Sequence, residues 1–294
     1  MCGARHIWGN HPLSATGQTL YEVTVVAKSE DLNRVEDQLP GWLEGVDGWL
    51  GSEIAGVLFR AARVTAKRRS DPCVVEIGSW MGRSTIVIAK GLLEGGATGT
   101  VHAIDPHEIP GTREVAEERL GQLRANLDNA CVGGVVTVVP LRSHDARASF
   151  DDGSVDMLFV DGDHSYEGVR LDIDDWTTSL RAPAIAGFHD FQLSGVRRAL
   201  REVVLRRRSE FRRARWSGVG LFFDYDPSRR WGIADEIRRY RALLFLSVIA
   251  LWRPGYDRLQ RSERPGLRWI QAATKWFQRK ILVRILALCL PKAK

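Results

Sequence analysis

Cysteine is scarce in this 294-residue chain: Cys2, Cys73, Cys131 and Cys289 stand far apart, with no CxxC and no Cys/His cluster. That argues against a zinc site and a disulfide scaffold, and it suits a reducing compartment. Long apolar runs are also missing, and none reaches the ~18 consecutive residues of a spanning helix. Met1 to Ser14 carries His, Asn, Pro and Gly where a secretion signal needs an apolar stretch, so export is not expected. The expected location is the cytoplasm, or the inner face of its membrane. Internal repeats and low-complexity segments are lacking too. The 44% apolar and 27% charged residues that remain are ordinary for a globular protein, and the length suffices for a full core.

Charge is present but unevenly placed. The formal net charge is +6, yet residues 231–294 hold 14 Lys/Arg against 4 Asp/Glu, leaving residues 1–230 at −4. A weakly acidic body with a strongly basic tail points to an anionic partner surface. The alternative is a solvated basic appendage.

Residues 18–70 read as helical, with turns at Pro40-Gly41 and Asp47-Gly48 and apolar residues at helical spacing from Glu53 to Ala66. From residue 73 the pattern alternates. Short apolar runs at Cys73–Ile77, Thr100–Ile104, Val135–Val139, Val155–Val160 and Ala184–Phe188 read as strands. Helices are expected at 82–94, 112–128, 165–180 and 194–207. Such alternation predicts a doubly wound α/β sheet, mostly parallel and covered on both faces. Phe211–Trp216 and Gly220–Phe223, joined by Ser217-Gly218-Val219, predict a closing antiparallel hairpin, making seven strands. The expected divisions are a helical N-terminal segment (1–70), a sheet domain (71–228) and a basic amphipathic helical tail (229–294).

The turn after the first strand reads Glu76-Ile77-Gly78-Ser79-Trp80-Met81-Gly82-Arg83-Ser84-Thr85. Gly78 permits a tight turn with close backbone approach, and Gly82 lets a helix start beside a ligand. The second strand ends at Asp105, where a carboxylate can hold ribose hydroxyls. The dinucleotide form GxGxxG is absent. Together these features resemble motif I and the ribose-binding acid of class I S-adenosylmethionine-dependent methyltransferases, whose sheet also closes with a hairpin. The resemblance implies S-adenosylmethionine as cofactor, held by Glu76, Gly78, Ser79, Gly82, Ser84 and Asp105, with Ser143 and His144 at the adenine and Asp161 against the cofactor.

Asp161-Gly162-Asp163-His164 follows the fourth strand, and His189-Asp190 follows the fifth. Neighbouring parallel strands bring Asp161 and Asp190 to one edge, where paired carboxylates need a shared proton or cation. From about Gly41 to Phe223 the chain is similar to metal-dependent sugar O-methyltransferases of polysaccharide and natural-product clusters. That resemblance implies Mg²⁺ on Asp161, His189 and Asp190, with His189 standing where those relatives carry Asp or Glu. It implies His164 or Asp163 as base, with His189 as second candidate. The activity expected is O-methylation of a sugar, glycan or natural-product hydroxyl, the acceptor being a small molecule or a lipid-linked glycan. Residues 1–50 and Pro106 to Pro110 are expected to contact that acceptor.

Two other functions compete. Nine arginines between Arg197 and Arg215 could hold RNA, although Val196, Leu200, Val203 and Val204 read as the buried face of a sheet-packed helix, and no nucleic-acid partner is expected. A non-catalytic binding module on the same fold is the other. In the tail, Ala242–Trp252 is an apolar run bounded by arginines, Pro254-Gly255 is expected to break the chain, and Leu267 to Leu290 reads as a second amphipathic helix. The pair predicts a helical hairpin on an anionic membrane, with packing on the body or on a second subunit of a homo-oligomer as the alternative.

Overall fold

The structure, a computed structural model, describes residues 37–108, 113–207 and 209–260. Seven strands form one sheet: β1 (Cys73–Ile77), β2 (Thr100–Ile104), β3 (Val136–Val139), β4 (Val155–Val160), β5 (Leu180–Phe188), β6 (Phe211–Ser217) and β7 (Gly220–Tyr225). Their spatial order is β3-β2-β1-β4-β5-β7-β6. The first five run parallel, and β7 enters antiparallel between β5 and β6. This is the mostly parallel sheet with a closing hairpin that the alternating pattern predicts. Strand order reverses between β1 and β4, and ligands of open α/β sheets bind outside the carboxyl ends at such a point.

Helices cover both faces. On one side lie α1 (Ser52–Arg68), α2 (Arg83–Glu94) and α3 (Arg113–Asn129), packed through Leu58, Phe59, Ile86, Leu92 and Leu123 against Val74, Met157 and Phe159. On the other, α4 (Ser143–Arg147), α5 (Tyr166–Thr177), α6 (Ser194–Arg206) and α7 (Ile233–Gln260) share a core with Val75, Leu158 and Phe188. β4 is buried along its whole length, as a central parallel strand must be. The arginines of the α6 region are largely engaged within the molecule. Arg207 pairs with Asp174 and Glu210, Arg215 with Asp224, and Arg198 stacks on Tyr166 at 3.8 Å.

Several local expectations are corrected. A helix over 37–43 runs through Pro40-Gly41, because Leu39 and Leu43, one turn apart, are both buried. Residues 18–36 lie outside the described residues. β5 starts at Leu180 rather than Ala184, since Leu180 pairs with Val155 ahead of a register shift. Cys73 is free.

The tail differs most. Pro254-Gly255 does not break the chain, and α7 continues to Gln260. Within the apolar run, Ala242, Phe245, Leu246 and Ile249 enter the protein core rather than a lipid phase. Phe245 meets Phe191 at 5.3 Å and Trp216 at 5.7 Å. The buried Arg212–Asp235 pair, 3.3 Å apart, fastens the start of α7 to β6. The proposed second helix, Leu267 to Leu290, lies outside the described residues. Phe245 is fully buried, so Phe245→Ala is expected to cost about 3–5 kcal/mol of stability in chemical denaturation without lipid. An unchanged midpoint would mean that α7 is not docked.

Candidate active site

Each central strand stops one residue short of a site residue, and that residue's amide is tied to the neighbouring strand. Asp105 N–H donates to Val139 O at 3.2 Å, Gly78 N–H to Ile104 O at 2.8 Å, Asp161 N–H to Ile77 O at 2.8 Å, and His189 N–H to Val160 O at 2.9 Å. The four loops therefore leave the sheet in a row. They open on one cleft of about 1060 Å³.

Gly78 has φ +86°, and a Cβ there would sit 2.2 Å from the carbonyl oxygen of Asp161. Only glycine lets the β1 turn lie against the β4 loop. Asp105 is fixed by two backbone donors, Trp80 N–H to Oδ2 at 2.9 Å and His107 N–H to Oδ1 at 2.8 Å. A carboxylate has about four lone-pair sites, so Asp105 retains capacity for two hydroxyls. Ser79 Oγ is buried without a hydrogen-bond partner. The close-approach glycine, the orphan hydroxyl and the held carboxylate fit the ribose and methionine parts of S-adenosylmethionine.

Two residues expected to touch the cofactor stand behind the cleft instead. Glu76 is fully buried and accepts a 2.5 Å hydrogen bond from Thr85 Oγ1 in the first turn of α2. Burial drives its carboxyl up to about 7, against the hydrogen bonds from Ser84 and Thr85. Gly82, at φ +90°, faces Leu123 rather than the cleft. Both shape the turn. Ser84 does line the cleft.

Of the two residues expected at the adenine, Ser143 lies in the short helix α4 and donates to Asp172 Oδ1. His144 lines the same region but turns outward to Asp175 Oδ2 at 2.7 Å, a hydrogen bond that raises its pKa. Asp172, which the sequence reading missed, lines the cleft, and burial pushes its carboxyl up to about 6. A signal existed: Gly168, Leu171, Asp172 and Asp175 fall on one face of α5. Also missed were Trp49 and Trp80. Trp49 is 82% exposed at the cleft mouth, its ring 6.4 Å from that of Trp80, and Arg119 stacks on Trp80 at 4.4 Å. Asp47, Gly48, Pro106 and Glu108 line the same mouth, within the two segments expected to contact the acceptor.

The chemical end joins two carboxylates and two imidazoles. His189 Nδ1 lies 3.0 Å from Asp161 Oδ1 and 3.4 Å from Asp190 Oδ2. His164 Nε2 lies 3.3 and 3.5 Å from the same two oxygens. Burial pulls the His189 pKa down, but Asp161 and Asp190 outweigh it and raise it to about 9. His164 is also raised, chiefly by its hydrogen bond to Asp161. Burial alone would raise Asp190, yet His189 brings it below its ordinary value. Both imidazoles line the cleft, but the His189 side chain is 6% exposed and that of His164 38% exposed.

Asp161, His164 and Asp190 offer ligand atoms all within 4.8 Å of one another, the cluster among the described residues that could hold a metal ion. Two carboxylates and one imidazole suit a divalent ion with some affinity for nitrogen. His164, rather than the expected His189, is the imidazole of this group. The reason is placement: His189 is held at the end of β5 with its ring edge-on to Phe159, whereas His164 rides on the open loop. Asp163, a candidate base, has both oxygens on Ser165, accepting from its amide and its hydroxyl at 2.8 Å. Ser165 in turn caps α5 through Gly168 N–H.

Residues 75–191 match the family model for a methyltransferase domain. No curated protein matches the chain. Among solved structures it is similar to a protein from Corynebacterium glutamicum, at 16% identity and TM-score 0.49, over 70% of this chain and 94% of that one. It is also similar to the O-methyltransferase TomG from Streptomyces achromogenes, involved in tomaymycin synthesis and solved with S-adenosylmethionine. There the identity is 18% and the TM-score 0.45, over 68% and 92% of the two chains. An O-methyltransferase from Bacillus cereus in complex with S-adenosylhomocysteine gives 16% and 0.44, over 68% and 93%. Scores and identities in this range assign neither substrate nor mechanism.

The burial of Glu76 sets a pH dependence. Its folded pKa of about 7 exceeds the ordinary 4.5, so the folded state binds the extra proton between those values. Its contribution is fully present below 4.5 and is lost as pH rises through 7, by roughly 3 kcal/mol at most. Glu76→Gln should therefore gain melting temperature over the parent as pH rises from 5 to about 8. Parallel melting curves across that range would contradict the assignment.

Proposed function

We propose that the chain is an S-adenosylmethionine-dependent O-methyltransferase acting on a sugar, glycan or natural-product hydroxyl. One observation carries the reading: the cofactor cradle at Gly78 and Asp105 and the acid–imidazole cluster at Asp161, His164 and Asp190 open on the same cleft. S-adenosylmethionine would supply an electrophilic sulfonium methyl, and a divalent cation held by Asp161, His164 and Asp190 would lower the pKa of an acceptor hydroxyl.

The chain's own residues do the rest. Asp105 and the Gly78 turn fix the cofactor, so that reaction becomes a matter of aligning oxygen, methyl carbon and sulfur in line. With no cation on Nε2, Asp161 accepts from Nε2 of His164, which selects the tautomer whose Nδ1 is free to take the acceptor proton; a cation held on Nε2 would replace that role by acidifying the hydroxyl itself. Asp161 and Asp190 then stabilise the imidazolium. A base of this kind contributes about 10²–10⁴-fold. His189, buried and cationic at neutral pH, offsets the repulsion between the two carboxylates and holds them close together. Asp163 braces the capping Ser165 rather than serving as a base. The exposed ring of Trp49 at the cleft mouth offers an apolar platform for the C–H face of a sugar ring.

The test is methyl transfer from labelled S-adenosylmethionine to a panel of sugars and glycosides, with and without EDTA. Asp161→Ala is expected to lower turnover by at least about 10²-fold while leaving cofactor affinity nearly intact. Asp105→Ala is expected to weaken calorimetric cofactor affinity by roughly tenfold or more. Wild-type turnover in Asp161→Ala, or unchanged affinity in Asp105→Ala, would overturn these roles. Activity insensitive to EDTA would remove the metal from the reading and leave the base.

A further inference from the structure

The helix α7 is apolar on two opposite faces. One carries Ala242, Phe245, Leu246 and Ile249 into the core. The other carries Ile233, Ile237, Tyr240, Leu244 and Leu251, which are 83%, 55%, 61%, 54% and 85% exposed. At about 100° per residue these five project within a narrow sector of the helix, directly away from the buried face. They form a stripe about 27 Å long, at ~1.5 Å per residue. Isolated exposed apolar side chains need no explanation, but an aligned row of five does.

We infer that this outer face of α7 docks on an anionic lipid surface, lying in its plane. Charge favours that occupant. Residues 231–294 carry a net +10 beside a body of −4, and the chain beyond α7 holds nine Lys/Arg against one acidic residue. Arg241, next to Tyr240, is exposed, so a basic side chain borders the apolar row, whereas Arg239 is taken up by Glu236. Basic side chains beside an apolar stripe are what an interfacial helix presents to anionic headgroups. A second copy would bring two +10 tails together, and five side chains fall short of the ~800 Å² per partner of a stable dimer. The apolar row has no use against a phosphate backbone. Among the described residues no helix is long and apolar enough to cross a membrane, so α7 lies on the surface rather than spanning it. The lipid-facing residues differ from those the apolar run suggested, because the side of that run with Phe245 and Leu246 is already occupied by the protein core.

The experiment is flotation of the intact chain with vesicles of phosphatidylcholine and phosphatidylglycerol, and with phosphatidylcholine alone. The wild-type chain is expected to float with the anionic vesicles, less so as salt rises, and not with the neutral ones. Ile237→Glu with Leu244→Glu, and separately Ile233→Glu with Leu251→Glu, are expected to weaken that binding by on the order of tenfold or more. Melting temperature and methyl-transfer activity should stay at the wild-type level in both. Absent wild-type flotation, or undiminished flotation of both variants, would overturn the proposal. So would a lowered melting temperature in both variants, which would mean that residues 261–294 cover the stripe. Conversion of a wild-type dimer to monomers by either pair would instead assign the stripe to a second copy.

Discussion

The last rung of the parallel ladder is the constraint on which the site depends. Asp105, Gly78, Asp161 and His189 each sit one position past a strand end, and each donates its amide to the terminal carbonyl of the adjacent strand. Strand spacing of about 4.8 Å then sets how far apart neighbouring loops begin. Nothing in the loops themselves has to achieve this. The buried valines, isoleucines and phenylalanines of β1, β4 and β5 fix the register, and the register delivers the chemistry. Gly78 adds the one steric condition, since any Cβ would push the cofactor turn away from the Asp161 carbonyl.

Electrostatics explain how two carboxylates come to sit side by side at this edge. Two carboxylates at one sheet edge repel, yet two imidazoles lie within 3.5 Å of their oxygens. The carboxylates raise the pKa of both imidazoles, so each offers them a counter-charge. Glu76 poses a related problem nearby. It is sealed under the turn with one oxygen on Thr85, and it stays in place through that hydrogen bond and by holding its proton to near neutral pH.

The sequence made the sheet legible because its strands are short apolar runs separated by helical spacing, a pattern with few topological solutions. It also exposed Asp105, Asp161 and Asp190, since a polar residue right after a buried strand has only one edge to occupy. The division of labour between His164 and His189 was not legible, because both follow strands and only side-chain direction separates them. Asp172 and Trp49 went unread for a different reason. They reach the cleft from a helix face and an inter-helix loop, and their neighbours in sequence carry no chemistry. The tail misled because a run such as Ala242–Trp252 is apolar around much of its circumference. Hydropathy alone does not say which side meets the protein and which is left open.

The central claim is that one cleft brings a methyl donor and an acid–imidazole cluster together. A crystal structure of the chain with S-adenosylhomocysteine tests it most directly. The account predicts ribose hydroxyls on Asp105, the adenine beside Ser143 and Asp172, and the sulfur turned toward Asp161 and His164. A ligand seated elsewhere, or one whose sulfur points away from those two residues, would contradict it.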